Sequence, residues 1–237
     1  MLKSVFIPNK TNSYAWFNLV FIILLIVLGK ISTIIVLFGY FLETIIIGIF
    51  NIFKMYACRH QTDEKSIWFY IPFFIVHYGG FIAIQSVFLF AIFSISGGDL
   101  IKEPFNLIEN YTTLLKLEGL PVMLLILVVG QIIKYYFDFI QPKKYRLFKV
   151  GEIMFKPYLR IFIQQFVVIL GGFFMAFSGA SIITAVILVL VRFFVDFCLA
   201  SIREDSLFLD YLVDKMYDDK GKMTKEEFRK QLLLFSE

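Results

Sequence analysis

Two ionisable residues, Glu43 and His77, stand in long apolar stretches of the sequence. A carboxylate and an imidazole can contact a ligand, exchange a proton, or serve as an acid and a base. Ionisable groups are costly in lipid, at roughly 2.5 to 3.5 kcal/mol each on insertion scales, so they usually face protein or a water-filled cavity. We therefore expect Glu43 and His77 to be proton-linked or ligand-contacting groups of a functional site.

Two basic and acidic pairs recur at one spacing, Lys134 with Asp138 and Arg192 with Asp196. Residues four apart lie on one face of a helix, so each pair could be neutralised within its own helix. The pairs could support the site, or they could extend toward lipid headgroups. A second tier of site candidates shares these helical faces, and for its glutamines we favour hydrogen bonding between helices: Tyr40, Asn51, Tyr78, Gln85, Gln131, Tyr158 and Gln165.

The sequence carries no recognised catalytic motif. It has two histidines and contains neither H-E-x-x-H nor G-x-S-x-G, the spacings that hold a catalytic zinc or a serine nucleophile. A haem held by two histidines or a His-rich metal site is not expected within one chain, and we assign no cofactor, no metal and no catalytic residue. A protein that binds or transports a small polar solute, ion or proton is the leading hypothesis. An intramembrane enzyme acting on a lipid-borne substrate, or a structural or regulatory partner, is the alternative.

Membrane-spanning helices must position these residues. The chain is 59% hydrophobic with a mean hydropathy of +0.79, well above the roughly 45 to 50% apolar content of soluble domains. A span needs about 20 apolar residues. We predict an all-α polytopic membrane protein, whose domain 1–201 is a bundle of six transmembrane helices, followed by a short helical cytoplasmic tail at 202–237. The spans are expected at about 14–29, 31–55, 68–95, 119–140, 157–177 and 180–201.

The placement of Lys and Arg predicts the orientation. If both termini are cytoplasmic, eighteen of the 23 basic residues lie in inner segments and three in outer ones, as the positive-inside rule requires. We therefore expect a multi-pass protein of the cell (inner or plasma) membrane. In this orientation five spans direct their polar residues to the cytoplasmic half, which predicts a site around Glu43 and His77 that is open or gated toward the cytoplasm.

Two connecting segments have their own patterns. Segment 141–160 holds six basic residues among aromatic ones, and we expect it to lie against anionic lipid, at about 1 kcal/mol per basic residue. Outer loop 96–118 is rich in Leu and Ile, and forms either a short interfacial helix or a plain packed loop. A small polar ligand or ion is the other expected partner and a nucleic acid is not, and the sequence leaves a homo-oligomer open.

The tail at 202–237 has the pattern of two amphipathic helices. Thr224 and Glu227 form a capping box that should start the second helix. The run 218–228 resembles a degraded EF-hand, in which Met216 and Lys220 would occupy two positions that require oxygen ligands. We therefore expect a helix-turn-helix that docks on the membrane domain or on a partner, rather than a calcium site.

Two short motifs, His77-Tyr78-Gly79 and the P-Y-x-R element at 157–160, carry a resemblance to known proteins. These motifs and further matching positions lie within roughly 34–201. Through them the chain resembles a family of uncharacterised prokaryotic multi-pass membrane proteins, a domain-of-unknown-function family. The resemblance implies a multi-pass architecture and important polar residues, and implies no reaction. Relatives of this type carry extra histidines where this chain has glutamines, and a Lys in place of Arg192, which argues against a metal or haem role. The other matching positions include Tyr40, Glu43, Gly48, Asn51, Phe81, Gly151, Glu152 and Asp196.

Overall fold

A computed structural model describes residues 6–8, 13–61, 64–95, 100–178, 182–202, 207–217 and 223–235. Within these ranges every regular element is helical, which confirms the all-α class. The α-helices are α1 (Ser13–Val27), α2 (Thr33–Ala57), α3 (Glu64–Ile95), α4 (Leu107–Leu115), α5 (Leu120–Lys134), α6 (Val150–Ser178), α7 (Ile182–Ala200), α8 (Leu207–Met216) and α9 (Lys225–Phe235). A π-helix, Tyr135–Ile140, continues α5, and two 3-10 turns are Cys58–Gln61 and Lys144–Arg146.

Three helical segments among the described residues are long and apolar enough to cross a membrane, namely Thr33–Gln61, Ile67–Ser94 and Leu120–Ile140. At a rise of 1.5 Å per residue, each reaches the roughly 30 Å thickness of the hydrocarbon core. They coincide with the second, third and fourth expected spans. The structure is therefore that of an all-helical chain with three candidate membrane-spanning helices.

Helix α2 is the centre of the bundle. It packs against α3, α5, α6 and α7, while α1 packs against α7 and α3 packs against α6. Every residue from 35 to 44 is buried, as expected of a helix that is apolar all round. Two glycines of α2 allow neighbours to approach closely: Gly39 faces the side chain of Met123, and Gly48 faces the ring of Tyr78.

The tight turn between α1 and α2 follows from local hydrogen bonds. Gly29 has a φ of 66°, in the left-handed region that favours glycine. The N–H of Lys30 donates to the carbonyl of Leu25 at 2.9 Å, and the N–H of Gly29 donates to that of Ile26 at 2.9 Å, which is the Schellman pattern that ends a helix. The structure therefore has a tight turn at Gly29 and Lys30, where the sequence predicts one hairpin, whereas Gly179 of the second expected hairpin falls outside the described residues.

Loop 96–118 contains α4, so the short helix, rather than the plain loop, is the alternative that the structure supports. Leu114 and Asn110 are buried against the bundle, and the hydroxyl of Tyr111 lies 2.6 Å from the hydroxyl of Ser86 on α3. The opposite face is open to the surroundings and mixes apolar with polar residues, since Ile108, Glu109 and Thr112 are exposed. Helix α4 therefore has one face anchored on α3 and α5.

The C-terminal tail forms a pair of helices that docks on the bundle. Arg229 of α9 is ion-paired with Asp210 of α8. Helix α9 also packs against α6, where Lys230 lies 3.8 Å from Glu152. The helical tail thus contacts the bundle through α9 and α6, whereas segment 218–222 of the EF-hand-like run falls outside the described residues.

Helix α9 starts with the predicted capping box. The N–H of Thr224 donates to Glu227 Oε2 at 2.8 Å, and the N–H of Glu227 donates to Thr224 Oγ1 at 3.2 Å. These hydrogen bonds satisfy two amide groups that a helix start would otherwise leave without a partner. They also hold the pKa of Glu227 below its ordinary value, because the Thr224 amide and hydroxyl stabilise the carboxylate.

Candidate functional site

The Glu43 carboxylate and the Arg192 guanidinium form an ion pair that joins α2 to α7. Both side chains are buried, with Arg192 7% and Glu43 4% exposed. Removing two charges from water costs several kcal/mol per ion, so such a pair persists only when its geometry is good and further polar groups assist it. Two neighbouring side chains supply that assistance.

The first of these is Gln131 on α5, whose Nε2 donates to Glu43 Oε1 at 3.5 Å. The second is Tyr40, one turn before Glu43 on α2, whose ring centroid lies 5.0 Å from the Arg192 guanidinium carbon. A guanidinium over an aromatic face is attracted by the negative face of the ring, and more strongly where water is excluded. We call Tyr40, Glu43, Gln131 and Arg192 the buried polar cluster, which joins three helices.

His77 occupies a different environment. It is exposed on α3, and its ring stacks on Phe73 with centroids 5.3 Å apart. Its Nδ1 lies 2.7 Å from the hydroxyl of Tyr158 on α6, which donates when that nitrogen is unprotonated. Glu43 is buried, whereas His77 is exposed. The two residues that the sequence analysis identified first therefore lie in different environments.

Tyr78 lies between these two groups. Its hydroxyl donates to the carbonyl of Thr44, the residue after Glu43, at 2.8 Å. Its ring packs on Gly48 and meets the ring of Tyr158 edge-on at 5.7 Å. Tyr78 therefore connects the two groups, because its ring contacts Tyr158 and its hydroxyl binds the α2 backbone next to Glu43.

Asn51 is a buried donor further along α2. Its side chain is 4% exposed, and its Nδ2 has no hydrogen-bond partner among the described residues. A buried polar group left without a partner costs about 1 to 3 kcal/mol. An acceptor atom from water or a ligand would remove that cost.

The remaining candidates are distributed over both environments. Gln85 is buried, Lys134 and Gln165 are half-buried, and Asp138 is exposed. Asp138 lies in the π-helix, where the wider turn rotates later residues away from the face that an α-helix would give them. That explains why Gln131 faces the cluster and Asp138 does not, although seven residues separate them. The side chain of Asp196 falls outside the described residues.

Lys156 is a candidate that the sequence reasoning missed, because it was counted with the lipid-facing basic residues of 141–160. It is buried, and its Nζ lies 4.1 Å from the centroid of Phe148. The residue precedes Pro157, where the fifth span is expected to begin. Burial, together with the positive charges of Lys54 and Lys144, lowers the pKa of Lys156 to about 7. Lys156 lies three residues after Ile153, which is buried, and residues three apart share one face of a helix. This spacing is the sequence signal that could have indicated burial of Lys156.

Among the other basic residues of segment 141–160, Lys143, Arg146 and Lys149 are exposed. Among the described residues, no group of three or more His, Cys, Asp or Glu could hold a metal ion.

The helices and the buried polar cluster define the class as an all-helical protein with apolar helices suited to a membrane. The chain belongs to a family of unknown function (DUF6498), whose model matches residues 1–222. Curated proteins and solved structures offer no match to the chain.

Proposed function

We propose that this chain is a six-span membrane protein that binds or transports a small polar solute, an ion or protons at the buried polar cluster. The observation that carries this proposal is the buried ion pair between Glu43 and Arg192. A charged pair that joins two helices costs free energy to bury, and hydrophobic residues of similar volume are often as stable or more so. Charged groups inside membrane proteins commonly mark substrate, ion or proton pathways.

The ion pair suggests how binding would act. A cationic solute would compete with Arg192 for the Glu43 carboxylate, and a proton on Glu43 would remove the attraction altogether. In either case the ion pair between Arg192 and Glu43 would break, and α7 would be held less strongly on α2. Ligand binding or protonation would thereby be coupled to helix movement, which is what alternating access to a site requires.

Proton or ion flux tests this function. The purified protein would be reconstituted in liposomes that enclose a pH-sensitive dye, and proton entry would be followed under a membrane potential, with Na⁺, K⁺ and then amino acids added outside. We expect flux with the wild type and loss of it with Glu43→Gln, which removes the charge and keeps the shape. Because this variant should also be less stable, flux is measured well below its Tm, on samples that elute like the wild type in size-exclusion chromatography. Glu118→Gln, at an exposed position, is the matched control. Equal flux through both variants would refute a role for Glu43.

Contacts of the chain ends support an even number of spans. Near the N-terminus, Phe6 packs edge-on against Phe197, which lies close to the end of α7, with centroids 5.9 Å apart. Near the C-terminus, Lys230 lies by Glu152 at the start of α6. In an antiparallel pair of helices, the start of one and the end of the next lie at the same end of the bundle. Both termini would therefore lie on one side of the membrane, and the placement of basic residues favours the cytoplasmic side.

Cysteine labelling tests the orientation. In a background with Cys58→Ser and Cys198→Ser, an impermeant maleimide should label Lys102→Cys on intact cells, and should label Arg146→Cys only after permeabilisation. Both positions are exposed, so access to them depends on the side of the membrane. Labelling of both positions on intact cells would contradict the six-span topology.

A second candidate function rests on the His77–Tyr158 pair, which is exposed on the outside of α3 rather than enclosed with Glu43. An imidazole and a phenol in contact at a surface could exchange protons with a lipid-borne substrate, as an intramembrane enzyme requires. Turnover of extracted membrane lipids by the wild type, lost with His77→Gln and retained with Glu43→Gln, would favour the enzyme. Retained turnover with both variants would count against it.

A further inference from the structure

His77 lies near the middle of an apolar helix and on its outer side. The candidate span Ile67–Ser94 has its midpoint between residues 80 and 81, so His77 is about 5 Å from the middle of the span at 1.5 Å per residue. The imidazole is nevertheless exposed. Ionisable side chains within a membrane almost always face the bundle interior or a water-filled cavity. An exposed imidazole at this depth therefore calls for a polar partner at the lipid-facing surface.

The His77–Tyr158 pair keeps one hydrogen-bond donor unused. His77 Nδ1 lies 2.7 Å from the Tyr158 hydroxyl, and among the described residues neither side chain has a further hydrogen-bond partner. A neutral imidazole and a phenol carry one N–H and one O–H, and their contact uses one of these two protons. The other stays on His77 Nε2 when the hydroxyl donates, and on the Tyr158 oxygen when Nδ1 donates. In either arrangement the pair can still donate to a ligand.

Aromatic rings flank this donor along α3. Phe73 stacks on His77 with centroids 5.3 Å apart, and Phe69 stacks on Phe73 with centroids 5.7 Å apart. Phe81 lies one turn beyond His77, with centroids 6.3 Å apart. All three phenylalanines are exposed. We call Phe69, Phe73, His77 and Phe81 the α3 ring column, an aromatic surface with one polar ring between apolar ones.

Gly80 leaves space beside the α3 ring column. It follows His77 by three residues, so the two share a face of α3. A Cβ built at Gly80 meets no atom within 4 Å. A ligand could therefore approach the His77–Tyr158 pair at this position without meeting a side chain of residue 80.

We propose that the α3 ring column and Tyr158 form a lipid-facing binding site for a quinone, an uncharged ring that carries carbonyl oxygens and an apolar tail. The proposal rests on the same pair as the second candidate function and names the class of lipid that this pair would meet. It requires binding and no turnover. None of its residues belongs to the buried polar cluster.

The depth of His77 favours a quinone over other lipids. Half of the hydrocarbon core is about 15 Å thick, and a charged headgroup drawn to its centre would lose its hydration at a high cost. A quinone ring has no charge, and its oxygens accept hydrogen bonds without donating any. One carbonyl oxygen would accept the unused proton of the pair, and the ring would pack stacked or edge-on against the neighbouring aromatic side chains.

Thermal stabilisation by a defined quinone tests the site. The full chain, purified in an uncharged detergent, would be heated while its circular dichroism is followed, with decylubiquinone added in steps. Decylbenzene, which has the same tail on a ring without oxygens, is the control ligand. We expect decylubiquinone to raise the Tm with a saturable dose dependence, because a ligand that binds the folded state stabilises it by mass action. Decylbenzene should have a smaller effect.

The donor is tested by the double variant His77→Phe with Tyr158→Phe, which keeps both rings and removes both polar groups. The half-effective concentration of decylubiquinone should rise about tenfold, as expected for the loss of one hydrogen bond in an apolar environment. Tyr136→Phe, which removes an exposed hydroxyl elsewhere on the bundle, is the control and should respond as the wild type does.

The open position is tested by Gly80→Leu, which keeps the polar pair and fills the space beside His77. This variant should also weaken the response, and it serves as the second test if the double variant fails to fold. Gly79→Leu is the matched control, because a Cβ there also meets nothing within 4 Å, while the residue lies about 200° around α3 from His77.

Four results would overturn the proposal. Decylubiquinone could leave the wild-type Tm unchanged or raise it no more than decylbenzene does, the double variant could keep the full response, or Gly79→Leu could reduce the response as much as Gly80→Leu. The fourth is a double variant that changes its oligomeric state in light scattering and keeps its response to decylubiquinone, which would identify this face as a contact between copies.

The outcome is separable from those of the two proposed functions. Glu43→Gln leaves the α3 ring column intact, so its response to decylubiquinone should persist even if the transport function fails its own test. Quinone binding without lipid turnover would reject the enzyme and leave the binding site in place.

Discussion

The carboxylate of Glu43 and the guanidinium of Arg192 are paired in the interior of the bundle, although 149 positions separate them in the sequence. Each residue would be a costly isolated charge without the other. The pair therefore makes the packing of α7 on α2 depend on two side chains, and this dependence can be measured.

Glu43→Gln and Arg192→Met should each destabilise the protein strongly, by about 3 to 5 kcal/mol, because each leaves one buried charge without its partner. The double variant should be less destabilised than the sum of the two. Thermal unfolding in detergent measures all three. The exposed pair Lys225 and Asp214, 2.7 Å apart, is the control, and breaking it should cost less than about 1 kcal/mol. Strict additivity of the Glu43 and Arg192 effects would show that the pair is not coupled.

Alanine substitution at three glycines should distinguish contacts with a rigid side chain from contacts with an adaptable one. At Gly48 a new Cβ would collide with the ring of Tyr78, and that ring is held in place by its hydrogen bond to Thr44. Gly48→Ala should therefore lower the Tm and move α3 away from α2. At Gly39 the Cβ meets Met123, an unbranched side chain that adapts, so the loss should be smaller.

Gly79 is the matched control for the other two glycines. A Cβ there meets nothing within 4 Å, and Ala in a helix interior is favoured over Gly by roughly 0.5 to 1 kcal/mol. Gly79→Ala should therefore keep or raise the Tm. A ranking in which Gly79→Ala is as harmful as Gly48→Ala would contradict the packing of Tyr78 on α2.

Lys156 should make stability depend on pH. Its pKa is about 7, against an ordinary value of 10.5, so the folded protein binds fewer protons than the unfolded chain between these values. The free energy of unfolding should therefore rise as the pH rises from about 7 toward 10.5, and this component should level off below about pH 7, where Lys156 is protonated in both states. Lys156→Met should lack this component.

The measurement compares the Tm of both proteins just below pH 7 and again between the two pKa values. Four titratable groups surround Lys156 and are present in both proteins: Lys54, Cys58, Lys144 and Glu152. Burial raises the pKa of the Cys58 thiol to about 11, so this thiol stays protonated at both pH values of the comparison. Lys149→Met should keep the pH dependence of the wild type. If Lys156→Met and the wild type depend on pH alike, Lys156 is charged in the folded protein at neutral pH.

Thr224→Ala should loosen α9, because it removes the hydroxyl that caps the helix at Glu227. Loss of an N-cap typically costs about 1 kcal/mol, so amides of 225–235 should exchange with deuterium faster. Thr112→Ala, which removes an exposed hydroxyl that donates to Ile108 at 2.7 Å, should leave that exchange unchanged. Unchanged exchange in Thr224→Ala would mean that docking on α6, rather than the cap, holds the helix.

Some features of this chain follow from residues that are close in the sequence. The Schellman turn at Gly29 and the capping box at Thr224 depend on hydrogen bonds across three to five residues, so they could be predicted from local spacing. The apolar runs of α2, α3 and α5 indicated helices of membrane length, because composition and length alone decide whether a helix can cross the hydrocarbon core. These predictions needed no knowledge of which helices are neighbours.

Other features depended on that knowledge. Spacing offered Arg192 a partner four residues away in Asp196, and only the packing of α7 on α2 brings Glu43 to it. The π-helix turned Asp138 outward, and the turns around Cys58 enclosed Lys156. The sequence by itself determined the helices, their turns and the face on which a side chain lies. Tertiary structure decided which groups meet and which become buried, because those contacts join residues that are far apart in the chain, and local periodicity carries no information about the partner.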